Sequence, residues 1–546
     1  MVDYIVIGGG STGCVVASRL SEDPDTSVVL LEEGPRDINP YIHIPGAYYK
    51  TAQGSLLKRM PWIPSPEQDR SEAPTMVQAS VLGGGSSVNA MIYIRGIPSD
   101  YDHWVELGAT GWGYGDVLPY FLKAEDNNRF CNESHSVGGP LGVSDIDYIH
   151  PLTRAWLLAC QQAGLPYNAD FNGGNQAGCG LYQITAKNGR RSSAAAAYIR
   201  PARKRRNLRV ETGARVTRII IEKGRAAGVE FVKGGRTQIL RAEREVVLSA
   251  GAINSPKLLM LSGIGPAGHL ERQGIKVNAD LPGVGQNLQD HIEISLIYQL
   301  TGPHSYDKYK KLHWKALAGL NYLLFKGGPA SSNLIEGGAF WWGNKDEPVP
   351  DIQYFMVVGA GIEEGVDAVP GGNGCTINLG QIRPRSRGQI SLNSANPIEP
   401  PRIAPNYFAD AYDLEALTDG TMFAIEIMEQ PAIRRYLARR HVPASLSSRQ
   451  EIRDFCQREA HAALHPAGTC RAGQDDMAVV DPHLRVRGIF GLRVADASIM
   501  PTLISGNPNA VCIMIGEKAA DHLKQSVREV STPAPAPPAA RSSLVP

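Results

Sequence analysis

The N-terminal residues switch between two hydrophobic periods within thirty positions. Tyr4-Ile5-Val6-Ile7 is a continuous apolar, β-branched run, fit for a strand buried on both faces. From Cys14 to Leu20 the apolar residues recur at helical spacing, and Ser27-Val28-Val29-Leu30-Leu31 is a second strand-like run ending in Glu32-Glu33-Gly34. Strand, helix and strand in that order predict a βαβ unit with parallel strands. Further on, Leu208-Arg209-Val210 reads as another strand. Near the C-terminus, Val511, Met514, Ile515, Ala519 and Leu523 predict a helix over 509–523, capped by Asn507 with Pro508 in its first turn. No run of about 18 apolar residues occurs, so no spanning helix is expected.

The turn between the first strand and helix is Gly8-Gly9-Gly10-Ser11-Thr12-Gly13, a match to G-x-G-x-x-G. In this context Gly8, Gly10, Ser11, Thr12 and Gly13 allow a tight turn and close approach of a pyrophosphate to a helix N-terminus. Glu32, 19 residues past Gly13, is placed to accept from a ribose hydroxyl. The pattern fits FAD and NAD equally; a carboxylate there disfavours a 2′-phosphate. Other glycine-rich stretches lie far along the chain: Ala79–Ala90, with Gly84, Ser87 and Asn89; Val247–Pro256, with Ala250 and Gly251; Pro282–His291; Leu492–Pro501, with Asp496 and Ala497; and Gly506–Asn509. They are not repeats, and they predict a cofactor threaded through loops from distant segments.

Composition narrows the function classes. The 546 residues carry 55 Lys plus Arg and 54 Asp plus Glu, a net charge of +1. That balance argues against a nucleic-acid partner, and the cluster Arg203-Lys204-Arg205-Arg206 reads as a solvated corner. The eight cysteines form no C-x-x-C pair, and no His/Cys cluster has zinc-like spacing, so no metal is expected. Free thiols and an N-terminus without a basic leader predict a soluble, cytoplasmic protein, at most peripheral to a membrane.

Together these motifs resemble the glucose–methanol–choline (GMC) oxidoreductase family from Asp3 to about Leu523. The run from Gly251 to Gly265 fits one family signature, and Ala79 to Asp102 fits the other except at Ser80. The resemblance implies an α/β plus α+β fold: a Rossmann-like FAD-binding domain interleaved with a substrate domain built on an antiparallel sheet. The expected division gives 1–155, 206–300 and 465–526 to FAD binding, 156–205 and 301–464 to the substrate domain, and 527–546 to a disordered, Pro/Ala-rich tail. Some relatives attach flavin through a histidine at the position of Val88, so non-covalent FAD is implied here. Asp496 matches the acidic residue that meets the flavin ribityl chain, or else is a strand-end turn residue. Gly84, Ser87, Asn89 and Val216 are implied backbone contacts, and Pro508 and Asn509 start a helix aimed at the flavin pyrimidine edge.

Alcohol oxidation needs a group that takes the hydroxyl proton as hydride leaves, and histidine suits that task near neutral pH. Of thirteen histidines, His465 falls in His-Pro-Ala-Gly-Thr and matches the family's catalytic base, whereas His461 reads as structural. Asn507 matches the second active-site position, where an amide can donate to substrate oxygen while its carbonyl is held elsewhere. Middle segments such as Ala169–Gly173 and Glu336–Trp341 are similar to bacterial L-sorbose dehydrogenases. The leading expectation is therefore oxidation of a primary hydroxyl of a small polyol or sugar to the aldehyde, with a quinone, dye-like acceptor or oxygen taking the electrons. Choline dehydrogenase-like or aromatic and aliphatic alcohol oxidase activity is the alternative, and a lyase on the same fold a third. Leu464, where many members carry an aromatic residue, removes a cation–π face and weighs against choline. Phe340-Trp341-Trp342 fits a pocket lining and a sheet core equally.

Overall fold

The computed structural model describes residues 1–65, 68, 74–362 and 366–531. Strand β1 (Val2–Ile7), helix α1 (Ser11–Leu20) and strand β2 (Val28–Glu32) form the expected βαβ unit, with β1 and β2 parallel. After helix α2 (Pro151–Gln162), strand β3 (Gly178–Leu181) joins a second sheet. The chain then returns to the first sheet with β4 (Leu208–Thr212), parallel to β2. A meander of β5 (Ala214–Glu222), β6 (Arg225–Lys233) and β7 (Arg236–Leu248) follows. The start of β7 pairs antiparallel with β6 and its buried end lies parallel to β1. Helix α3 (Gly251–Leu261) leaves that end.

The second sheet collects β8 (Ile292–Leu300), β9 (Gly337–Trp341), β10 (Ile352–Val357), β11 (Gly374–Gln381) and β12 (Leu437–Val442). Helix α4 (Leu312–Phe325) lies between β8 and β9, and α5 (Ala411–Met428) packs behind the sheet, where Tyr354 Oη donates to the Gly420 carbonyl at 3.2 Å. The order is β12-β8-β11-β10-β9-β3, antiparallel throughout, with β13 (His461–Ala462) on β8. Strand β14 (Leu492–Val494) then closes the first sheet beside β7, and α6 (Asn509–Ser531) packs on α1. The α/β plus α+β expectation therefore stands. Phe340 is buried in β9 against Phe171, centroids 5.1 Å apart, so this part of the aromatic run is sheet core.

Three boundaries differ from the sequence reading. Strand β8 belongs to the substrate sheet, so the division expected at 300 falls before Ile292. Helix α2 packs on α5 and on the second sheet, which moves the division at 155 to about 151. Helix α6 continues to Ser531, past the end expected at 523, so 527–531 are helical; 532–546 lie outside the described residues.

The βαβ unit closes through missing side chains. Gly8 has φ +96°, and a Cβ there would lie 2.4 Å from the Ser249 carbonyl oxygen of the neighbouring strand end. A Cβ on Gly13 would lie 1.9 Å from the Gly8 carbonyl oxygen. Gly10 differs, because a Cβ there meets nothing within 4 Å. Substitution should separate these roles. Gly13→Ala should destabilise the fold by about 3 kcal/mol or more, since backbone must move. Gly10→Ala should keep the melting temperature of the FAD-free protein but weaken FAD retention about tenfold or more, because the second glycine lets backbone meet pyrophosphate. Thermal melts and flavin content of the two purified variants check both outcomes.

Candidate active site

The nucleotide cradle is built at the start of α1. No side chain caps this helix, and its first intrahelical bond is Cys14 N to the Gly10 carbonyl, so the preceding N–H groups remain for a ligand anion. The side chains of Ser11 and Thr12 turn away to grip α6: Ser11 Oγ donates to Asn509 Oδ1 at 2.8 Å and Thr12 Oγ1 to the Cys512 carbonyl at 2.8 Å. Their backbone is thus what the cradle offers. Glu32 is buried, with Oε2 accepting from Gly9 N and Oε1 from Gly34 N, each at 2.7 Å. Burial pushes its carboxyl up to about 7 against those two donors. One lone pair per oxygen remains for the ribose hydroxyl expected there.

The loop 84–89 approaches the same turn, with Gly84 at φ +54° against Gly10. Ser87 Oγ donates to the Leu82 carbonyl at 2.8 Å, and Asn89 Oδ1 accepts from Met91 N and Arg191 Nη1. These side chains shape the loop and leave its backbone as the ligand-facing part. Arg191 is buried and also donates to the carbonyls of Ile42 and Asn89, a staple that no sequence motif indicated. Val88 packs with Ile42 and Val81. It has no nucleophilic atom for a flavin bond. Val216 is a buried residue of β5.

Asp496 makes the hydrogen bonds of a turn residue. Oδ1 accepts from Ser498 N, and Oδ2 accepts from Gly251 N at 2.9 Å and Ser255 Oγ at 2.6 Å. It therefore pins Ala497 and the start of α3, next to Ala250, to one another. Asn507 is not the cap of α6. The first helical bond runs from Cys512 N to the Pro508 carbonyl, so Pro508 holds the cap position and the helix starts at Asn509. This frees the Asn507 amide for side-chain contacts.

His465 and Asn507 meet directly, with Asn507 Nδ2 3.3 Å from His465 Nε2. Asn507 Oδ1 accepts from Gln353 Nε2 at 3.2 Å, and Gln353 Nε2 also reaches Tyr182 Oη at 3.2 Å. The carbonyl of Asn507 is thus held, and its NH₂ points at the imidazole. On the far side, His465 Nδ1 lies 3.0 Å from His291 Nδ1, and His291 Nε2 lies 3.0 Å from the Ile504 carbonyl oxygen. A carbonyl only accepts, so His291 carries its proton on Nε2 and presents a bare Nδ1. That Nδ1 must accept, so His465 carries its proton on Nδ1 and keeps a lone pair on Nε2, facing Asn507. Burial, with no other cause, pulls the His465 imidazole down to about 4, and burial followed by the charge of His465 depresses His291 well below its ordinary value. Both rings are neutral at physiological pH. The backbone of His465 is fixed by its N–H donating to Asp290 Oδ1 at 2.7 Å, while Tyr407 Oη donates to Asp290 Oδ2 at 2.8 Å.

The second sheet forms the opposite wall. Its register aligns Glu293 of β8, Gly380 of β11 and Gln353 of β10 in one cross-strand row. A Cβ at Gly380 would meet the Ile292 carbonyl oxygen at 3.8 Å, an ordinary contact. Burial raises the Tyr182 phenol most, and the nearby Glu293 carboxylate adds to it, which places Glu293 on this face. His461 stays at the sheet edge, with Nδ1 2.7 Å from the Glu293 carbonyl and Nε2 3.3 Å from Ser295 Oγ. Sequence reasoning brought His465 and Asn507 together but missed His291, Asp290, Gln353 and Glu293. Asp290-His291 lay in a glycine-rich stretch already singled out; Gln353 and Glu293 carry no local signal.

Comparison with known proteins agrees with this geometry. Models of the GMC oxidoreductase family match residues 2–293 and 384–516. The chain is 42% identical over 527 residues to an oxygen-dependent choline dehydrogenase of Rhizobium etli, covering 95% of each. It is 39% identical over 535 residues to an alcohol dehydrogenase [acceptor] of Pseudomonas putida, covering 96% of each. Among solved structures, pyridoxine 4-oxidase from Mesorbium loti aligns with a TM-score of 0.87 at 30% identity, covering 96% of this chain and 99% of that one. A formate oxidase variant of Aspergillus oryzae aligns at 0.91 and 27% identity, covering 97% and 99%. The cradle and the loop beside it fit FAD, which is the cofactor, and Val88 offers no covalent attachment. On sequence, fold and site together, the chain belongs to the GMC oxidoreductase family.

Proposed function

We propose that this protein oxidises the primary hydroxyl of a choline-like amino alcohol to the aldehyde. The observation that carries the oxidative step is the single lone pair left on His465 Nε2, 3.3 Å from a donor amide. A substrate oxygen set beside the pair, replacing their mutual contact, accepts from Asn507 Nδ2 and donates its proton to His465 Nε2. Bound FAD supplies the acceptor for the hydride that leaves the carbinol carbon. As His465 gains its proton, its Nδ1–H still donates to His291, and that bond strengthens with the charge. Asn507, oriented by Gln353, stabilises the developing alkoxide. With FAD bound, the alcohol would lose a proton to His465 and a hydride to the cofactor, two electrons in all.

The substrate class rests on the relatives named above, a choline and an alcohol dehydrogenase rather than a sugar dehydrogenase, which favours this reading over a sorbose-like one. Leu464 is exposed beside the base. Its aliphatic side chain gives no cation–π face.

Anaerobic mixing with choline should bleach the flavin absorbance, and the idea fails if only neutral alcohols or sugars do so. His465→Ala should slow flavin reduction by about 10²–10⁴-fold with FAD retained. The pH profile gives a separate check on the base. A depressed pKa keeps Nε2 unprotonated well below the ordinary 6.5, so reduction should hold steady through mildly acid pH and fall only toward about pH 4. An acid limb centred near 6.5 would show that His465 is not held in this state.

A further inference from the structure

Helix α4 is the one apolar helix that the fold leaves outside its core among the described residues. Of its fourteen residues only Tyr322 is buried, and Tyr322 Oη donates to the Gly189 carbonyl at 2.9 Å. Leu312, Leu317, Leu320, Leu323, Leu324 and Phe325 are all more than half exposed, with Leu312 at 83% and Phe325 at 76%. Isolated exposed leucines need no explanation, but six on one helix form a contiguous apolar surface of the kind that meets a partner.

The charge around it identifies the partner. Residues 308–335 contain five lysines, at 308, 310, 311, 315 and 326, and no aspartate or glutamate. Lys310 pairs with Asp307. Lys308, Lys311, Lys315 and Lys326 meet no carboxylate among the described residues. Lys308 instead lies over the Tyr309 and Trp314 rings, 5.1 and 5.8 Å from their centroids, and Arg190 of a neighbouring short hairpin acts on Tyr322. A second copy of this chain would bring two lysine belts face to face, a repulsive isologous contact. An apolar surface ringed by lysines and tryptophan matches a bilayer with anionic headgroups. At about 1.5 Å per residue, α4 is roughly 21 Å long, short of the ~30 Å hydrocarbon core. It can lie in the interface but cannot span it, and no described helix is long and apolar enough to cross.

We propose that α4 docks the protein onto anionic lipid bilayers, its leucines and Phe325 in the acyl boundary and its lysines among the headgroups. This goes beyond the catalytic reading and is independent of it. The docked face adjoins the flavin loop: Tyr322 Oη also reaches the His43 carbonyl, and Asn333 Nδ2, eight residues past α4, donates to the Ala90 carbonyl at 2.7 Å.

Full-length FAD-loaded protein sedimented with phosphatidylglycerol or phosphatidylcholine vesicles tests this. Wild type should partition onto the anionic vesicles about tenfold or more above the zwitterionic ones, with a blue shift of Trp314 emission that is absent in W314F. L320E/L324E should lose that partitioning about tenfold while keeping its melting temperature and flavin reduction rate. K311Q/K315Q, which changes only exposed lysines, should lose the preference for anionic lipid and guards against a folding defect in the first variant. The proposal is overturned if wild type stays in the supernatant, or if L320E/L324E binds as well as wild type. It is equally overturned if sedimentation velocity shows a dimer that L320E/L324E dissociates while vesicles leave wild type unbound.

Discussion

Everything in this molecule hangs on how closely β1, α1 and the end of β7 approach one another. With Gly8 against Ser249 and Gly13 against the Gly8 carbonyl, there is no room for a single extra carbon at either point. That approach lets α1 leave β1 without a cap and present free N–H groups beside an open Gly10. It also lets α6 settle on α1, where a Cβ at Gly516 would fall 2.7 Å from Val15. Because α6 begins two residues after Asn507, the position of that amide is inherited from the packing of α6 on α1.

The interleaved chain path does the rest. His465 and Asn507 arrive with the segment that returns to the first sheet, while Gln353 and Glu293 come from the second. The two sets meet only because the second sheet faces the end of the first. Gln353 is the tie between them, a side chain of β10 holding the carbonyl of Asn507. Asp290 and His291 sit at the crossing from one domain to the other, and both reach His465.

The local parts of this design were legible in sequence and the cross-chain parts were not. The βαβ unit and the glycine positions follow from period and spacing over a few residues, and the candidate base from the resemblance of the run from His465 to Thr469 to a family motif. The amide logic of Asn507 was also readable, yet its expected capping role was wrong, because the Pro508 carbonyl takes the first helical bond. Strand β8 was assigned to the wrong domain because its alternation, Ile292-Glu293-Ile294-Ser295-Leu296, fits either sheet. The Glu293–Gly380–Gln353 row depends on strand register over 87 residues of chain, which no local pattern records. His291 meets His465 across 174 positions, and its meaning appears only with the Ile504 carbonyl beside it.

That carbonyl has one more consequence. A chain of imidazoles looks like a wire that could carry a proton inward, but this one terminates in an atom that cannot be protonated at any physiological pH. If His291 received the Nδ1 proton of His465, its own Nε2 proton would have nowhere to go. The pair is a cul-de-sac. The two imidazoles therefore hold one another in place through Nδ1 without relaying a proton past the Ile504 carbonyl.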